Sequence, residues 1–274
     1  MNRSALLAQI RRKRSYLCIG LDPVLDRLPP HLLSTEDPFF SFNKAIIDAT
    51  ADLCVAYKPN VAFYEALGAQ GWESLAKTIR YIPDNHLVIA DAKRADIGNT
   101  SRLYASALLE NLGADAITVA PYMGEDSVQP FLEYPDKWVI LLALTSNKGS
   151  RDFQFTPQDG GLPLYAKVMQ RAMEWAGPDQ LMFVVGATHP GQFEEIRALA
   201  PDYFFLVPGV GAQGGDLRSI CLNGFNREVG LLVNSSRGII YAGKGTDFAD
   251  KSRAEASRIQ KQMEELLEAR KLID

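Results

Sequence analysis

Eight short runs of apolar residues, many of them β-branched or aromatic, recur along the chain at 16–22, 55–60, 87–93, 116–121, 138–144, 182–187, 204–210 and 231–235. Most are nearly continuous rather than alternating, which is the pattern of parallel strands covered by helices. Helix-like stretches lie between them. Asp37-Pro38 opens one over 39–53, with Asp as cap and Pro in the first turn. Another runs over 100–112, with Leu103, Ala107, Leu108 and Leu112 on its apolar face and Gly113 as its stop. In the tail, 251–272, Ile259, Met263, Leu266 and Leu267 fall on one face, so this helix should pack on the body. Eight strands alternating with helices over about 250 residues is the arithmetic of an α/β fold of the (β/α)8 TIM-barrel type. An open doubly wound sheet is the structural alternative. No linker, low-complexity tract or repeat interrupts the pattern. The expectation is one barrel domain over 1–274 with helical extensions at both ends.

Composition narrows the classes of function. The chain has 274 residues, 47% hydrophobic and 23% charged, which excludes a disordered chain and suits a sizeable core. No apolar run approaches the roughly 20 residues that span a bilayer, and the first 14 residues lack a secretory pattern. The run Arg11-Arg12-Lys13-Arg14 reads as the basic, solvated end of a short helix. A net charge of −4 argues against general nucleic-acid binding but leaves room for a small anionic substrate. Three cysteines without a C-x-x-C pair point away from a disulfide framework or structural zinc and toward a reducing cytoplasm. His31, His86 and His189 are scattered, so a His-rich metal site is not expected.

Polar and charged residues collect at the C-terminal ends of the apolar runs: Asp22, Lys58, Asp91, Lys93, Ser146, Thr188, Gln213, Ser235 and Arg237. In a barrel, that end carries the active site. Asp91 and Lys93, two apart on a strand, should point to the same side. Opposite charges at the end of an apolar strand are costly to desolvate. They are either an ion pair bracing the rim or an acid–base pair, with Lys58 from the preceding strand as a second cation beside Asp91. Alternating charges of this kind suit a proton donor that acts on a short-lived anion. The glycine-rich segment 207–215 after the seventh run and Asn234-Ser-Ser-Arg237-Gly238 after the eighth offer main-chain N–H groups and a guanidinium, a combination suited to phosphate. Gly209, Gly211 and Gly214 also satisfy G-x-G-x-x-G, but no acidic residue ends the following strand, so a dinucleotide site is not expected. The polar stretch 145–161 is either a surface loop or a lid over the substrate.

The string Asp91-x-Lys93-x-x-Asp96-Ile97-Gly98-Asn99-Thr100 resembles the orotidine 5′-phosphate decarboxylase family. It is flanked by Lys58-Pro59-Asn60 and by Pro208-Gly209-Val210-Gly211 and Arg237-Gly238. The run Lys58–Glu65 (KPNVAFYE) is similar to the longer bacterial type, and the resemblance extends from Gly20 to Gly243. It implies a dimeric barrel, free of metal and cofactor, that converts orotidine 5′-monophosphate to UMP and CO2 in pyrimidine biosynthesis. By the resemblance, Lys93 protonates C6, Asp91 faces the departing carboxylate, and Lys58 and Asp22 hold the ribose hydroxyls. Asp96 and Thr100 reach into the partner subunit's site, and Ser146 contacts the pyrimidine, although Thr145 and Asn147 are alternative donors. Gln213 and Arg237 bind phosphate with main-chain help from Gly209 and Gly211. No role follows for Arg94 or His189.

Three other readings compete, the weakest being a generic phosphate-binding barrel isomerase, whose substrate nothing marks. A sugar-phosphate decarboxylase or aldolase of the same superfamily would share D-x-K-x-x-D but would look for Mg2+, which the cation Lys58 should repel. A ligand-binding sensor on the same barrel would explain the phosphate loops and leave Lys58, Asp91 and Lys93 without a purpose.

Overall fold

A computed structural model of the chain describes residues 1–158, 160–187, 190–209 and 216–273. The strands are β1 (Leu17–Leu21), β2 (Ala56–Pro59), β3 (Leu87–Arg94), β4 (Ala116–Val119), β5 (Trp138–Leu144), β6 (Leu181–Val185), β7 (Phe204–Pro208) and β8 (Leu231–Ser235). All neighbours are parallel, and β1 pairs with β8 through Leu17↔Val233 and Cys18↔Asn234, so the sheet closes into an eight-stranded barrel. The open sheet is thereby excluded. The eight apolar runs and the eight strands coincide within a few residues. Every residue of β1, β2, β4, β6 and β8 is buried, as the unbroken apolar runs require when helices cover the outside and side chains fill the inside.

The helices follow from local chemistry. Asp37 caps Pro38–Thr50 by accepting from Phe40 N–H at 3.0 Å. The stretch expected as one α-helix over 100–112 is instead α-helical over Gly98–Ala105 and a π-helix over Ser106–Asn111, closed by Leu112 N–H to Ala107 O. Gly113, at φ +78°, ends it as expected. The long tail helix, Phe248–Ala269, buries Ile259, Met263 and Leu267 and lies against Pro38–Thr50. Leu266 is only partly buried, packed against the core.

The basic N-terminal run is the end of a helix, Arg3–Lys13, with Arg14 at its C-cap. Arg3 donates to Pro178 O at 2.7 Å and Asp202 O at 2.8 Å, while Lys13 donates to Ala51 O and Cys54 O, both at 2.8 Å. These acceptors all precede strands, so this helix lies across the end of the barrel where strands begin. The opposite end is left open for chemistry. Cys18, Cys54 and Cys221 are all buried and unpaired, and burial pushes the Cys54 and Cys221 thiols up to about 12. Among the described residues no helix is long and apolar enough to cross a membrane.

Candidate active site

A cavity of about 570 Å³ opens at the C-terminal ends of the strands. Asp22, Lys58, Asp91, Lys93, Ser146, Gly209 and Arg237, contributed by the ends of six strands, all line it. Ser235 lines it too, so the clustering expected from the sequence is realised for Asp22, Lys58, Asp91, Lys93, Ser146, Ser235 and Arg237, seven of its nine positions.

Its centre is a row of alternating charges. Asp91, 8% exposed, accepts from Lys58 Nζ on Oδ2 and from Lys93 Nζ on Oδ1, each at 2.5 Å. Burial alone would raise the Asp91 pKa, but the two ammonium groups outweigh it and hold the carboxyl well below the usual range. Burial likewise works against the charge of Lys58, yet the Asp91 and Asp22 carboxylates overcome it and keep the ammonium above its ordinary pKa. Asp91 and Lys58 thus hold each other ionised, and half of the Lys93 side chain remains exposed to the cavity.

The pairing of Asp91 with Lys93 is reached by a route other than regular alternation. Ala90 is in register with Ile117 and Arg94 with Val119, so four steps along β3 match only two along β4. The excess forms a bulge at 91–93, and Lys93 takes a left-handed backbone at φ +48°. A non-glycine residue there stores strain of order 1–3 kcal/mol, which the surroundings must hold in place. On the other side, Asp91 is bridged to the main chain of Asn60. Within the bulge, Thr118 of β4 accepts from Lys93 N–H at 2.9 Å and donates to Asp91 Oδ1 at 3.0 Å. Sequence reasoning missed Thr118; the one available signal was a single polar residue inside the run Ala116–Val119.

Asp22 stands just past β1, with Oδ1 buried and without a hydrogen-bond partner among the described residues. Its loop is tied down by Tyr241, whose hydroxyl donates to Asp22 O at 3.2 Å and accepts from Val24 N–H at 2.8 Å. An orphaned buried carboxylate oxygen at a cavity wall is an acceptor waiting for a donor. Asn234 Oδ1 is in the same condition, although the sequence marked Asn234 only as part of the segment that ends in Arg237.

The stretch 145–161 is anchored at its start. Gln154, at the end of the short helix Ser150–Phe153, accepts from Thr145 N–H at 2.8 Å and donates to Thr145 Oγ1 at 2.9 Å. Behind it, Gly186 approaches so closely that a Cβ there would sit 2.6 Å from the Ser146 main-chain nitrogen. Arg237 opens the short helix Arg237–Ile240 after β8, and Gly209, at φ +95°, follows β7.

Other expectations fall elsewhere. Asp96 and Thr100 do not line the cavity: Asp96 Oδ1 accepts from Ile97 N–H at 2.8 Å, and Thr100 is exposed on the helix Gly98–Ala105. Arg94 turns away as well, pairing with Glu65 and lying over the Tyr104 ring. Gly211, Gln213, Thr188 and His189 lie outside the described residues. Among the described residues no group of three or more His, Cys, Asp or Glu side chains is placed to hold a metal ion.

Known proteins resemble this chain over nearly its full length. Residues 15–251 match the model of the family described as orotidine 5′-phosphate decarboxylase / HUMPS. The orotidine 5′-phosphate decarboxylase of Bacteroides fragilis (strain YCH46) is 56% identical over 272 residues, covering 98% of this chain and 99% of that protein. That of Parabacteroides distasonis is 57% identical over 96% of this chain and 95% of that protein. Among solved structures, the OMP decarboxylase of Leishmania donovani superposes with a TM-score of 0.85 at 40% identity, covering 97% of this chain and 99% of that one. With barrel and sequence in agreement, the chain belongs to the orotidine 5′-phosphate decarboxylase / HUMPS family.

Proposed function

We propose that the chain is a carboxy-lyase that converts orotidine 5′-monophosphate to UMP and CO2 in pyrimidine biosynthesis, with Lys93 as the proton donor to C6. The family and its relatives support the reaction. The observation that carries the assignment of roles is the desolvated row Lys58–Asp91–Lys93, which ends in an ammonium half-exposed to the cavity. In the reaction the C6–carboxylate bond breaks and its electron pair remains on C6. A proton passes from Lys93 Nζ to that carbon, and the neutral amine regains a proton from solvent.

Magnitudes limit how the work is divided. Enzymes lower barriers by roughly 8–23 kcal/mol. Two like charges about 4 Å apart near a protein surface repel by roughly 4 kcal/mol, so Asp91 facing the substrate carboxylate cannot carry the reaction alone. The pre-placed ammonium of Lys93 supplies electrostatic stabilisation to the developing carbanion. Binding at the remote phosphate supplies the rest, through Arg237, Gln213 and the main chain of Gly209 and Gly211. Asp22, with its orphaned Oδ1, and Lys58 would take the ribose hydroxyls, and Ser146 the pyrimidine.

The reading includes a homodimer with shared sites, to which Asp96 and Thr100 contribute from the second copy. In its support, Ile97, Leu103, Tyr122 and Met123, which follow the neighbouring strands β3 and β4, are 52%, 64%, 90% and 46% exposed. These are four of the ten large hydrophobic side chains exposed among the described residues. Three unpaired thiols suit a cytoplasmic setting. The test is to incubate the protein with orotidine 5′-monophosphate, with and without chelator, and follow loss of the orotate absorbance. Turnover insensitive to chelator is expected. Absent turnover, or activity that requires added Mg2+, would return the sugar-phosphate reading.

A further inference from the structure

The geometry points to Thr118 as the residue that positions Lys93 for proton delivery, acting on both ends of the lysine through one hydroxyl. The inference rests on Lys93 being the proton donor.

Lys93 has two features that need holding. Its backbone is left-handed, at φ +48°, a conformation that a lysine leaves unless something retains it. It also sits in a bulge where β3 runs ahead of β4, so the regular ladder offers its N–H no partner. Thr118 lies midway between Ile117 and Val119, the two residues that bracket the bulge on the facing strand. Its hydroxyl stands in for the missing ladder acceptor at 2.9 Å. The same hydroxyl gives its proton to Asp91 Oδ1 at 3.0 Å, the oxygen that receives Lys93 Nζ at 2.5 Å. One group therefore fixes where the lysine leaves the backbone and where its ammonium is received.

Threonine suits this place. A hydroxyl donates and accepts at once, which neither valine nor alanine can do. The β-branch restricts χ1, so the oxygen holds its direction without further support. Thr118 is 1% exposed, which leaves little room for water to replace the hydroxyl. Its loss would leave the Lys93 N–H without its acceptor and Asp91 Oδ1 with one donor fewer. The fold would keep its β-branched packing if valine took the place. The lysine would remain present but would spend less time in the productive position.

The test uses four variants of the full chain: Thr118→Val, Thr118→Ser, Thr118→Ala and Lys93→Ala. Turnover of orotidine 5′-monophosphate gives kcat and KM, and calorimetry gives the affinity for UMP. Thr118→Val is expected to lose roughly 10- to 100-fold in kcat, the scale of a hydrogen bond to a charged group. Its KM and UMP affinity should stay within about twofold, because the groups proposed to bind the nucleotide are untouched. Thr118→Ser should keep kcat close to that of the parent. Should Thr118→Val fail to fold, the Ser and Ala variants carry the same test, since both lose the methyl and only Ser keeps the hydroxyl; Ser should then exceed Ala by about tenfold or more. An inactive Lys93→Ala beside a fully active Thr118→Val overturns the role of Thr118 alone. So do equal losses in Ser and Ala, or a loss seen in KM rather than kcat. Near-parental activity in Lys93→Ala overturns the donor assignment, and this inference with it.

Discussion

Replacing Asp91 by Asn removes one charge and little volume, and the structure fixes what that change should do to stability. Lys58 is 4% exposed, and Asp91 is the only carboxylate bonded to it among the described residues. With an amide in its place, the ammonium loses its partner and stays buried, with Asp22 as the remaining nearby negative charge. Breaking a buried ion pair from one side costs about 3–5 kcal/mol. At about 2–4 °C per kcal/mol for a domain approaching this size, Tm should fall by roughly 6–20 °C. The reverse deletion is a built-in control. Lys58→Met leaves Asp91 with Lys93 and Thr118, so it should cost less than Asp91→Asn. Circular dichroism melts of the two variants beside the parent make the comparison. Acid sensitivity follows from the same pair. The Asp91 carboxyl is held below its ordinary value, so its contribution is present above the unfolded pKa near 3.9 and is lost as pH falls from there toward the native value. The parent should therefore show an acid-labile component below about pH 4 that Asp91→Asn lacks. An unchanged or raised Tm in Asp91→Asn, or a larger loss in Lys58→Met, would refute the claim that Asp91 compensates a buried cation.

Arg237→Ala should lower kcat/KM on orotidine 5′-monophosphate by roughly 10- to 100-fold and leave turnover of phosphate-free orotidine unchanged; equal effects on both substrates would place the phosphate elsewhere. Gly186→Ala puts a methyl 2.6 Å from the Ser146 nitrogen and 2.8 Å from its Cα, so the Thr145–Asn147 segment must move. Raised KM together with a lowered Tm is expected, since the clash is with main chain and overpacking costs about 1–3 kcal/mol, and wild-type kinetics would remove Ser146 from the substrate contacts. Leu103→Asp places a charge among these exposed apolar residues and should dissociate the proposed dimer in analytical ultracentrifugation, with activity recovering at high protein concentration. A monomeric parent, or an active monomeric variant, would end the shared-site proposal.

The barrel was legible because burial on both faces leaves its mark in most strands: runs such as Leu181–Val185 and Trp138–Leu144 have no polar residue to place apart from the indole N–H of Trp138. The positions of Asp22, Lys58, Asp91 and Arg237 were legible for the complementary reason, since charge at the end of such a run needs an open barrel mouth. What stayed hidden depends on register between strands. The bulge at 91–93 and the left-handed Lys93 come from a mismatch between β3 and β4, and the local sequence Asp91-Ala92-Lys93 carries no trace of it. Thr118 was hidden because a threonine in a strand already has a sufficient reason in its β-branch. Gln154 was hidden because its amide folds back on Thr145, nine residues earlier, inside a stretch whose composition reads only as polar. The π-turn at Ser106–Asn111 is a further case, since its apolar spacing still fits an ordinary helix.

A crystal structure with UMP bound tests the central claim most directly. The account requires uracil C6 to lie about 3–3.5 Å from Lys93 Nζ, at reacting distance, with the phosphate on the Arg237 guanidinium. A base turned away from Lys93, or a phosphate bound at a different rim of the barrel, would contradict it.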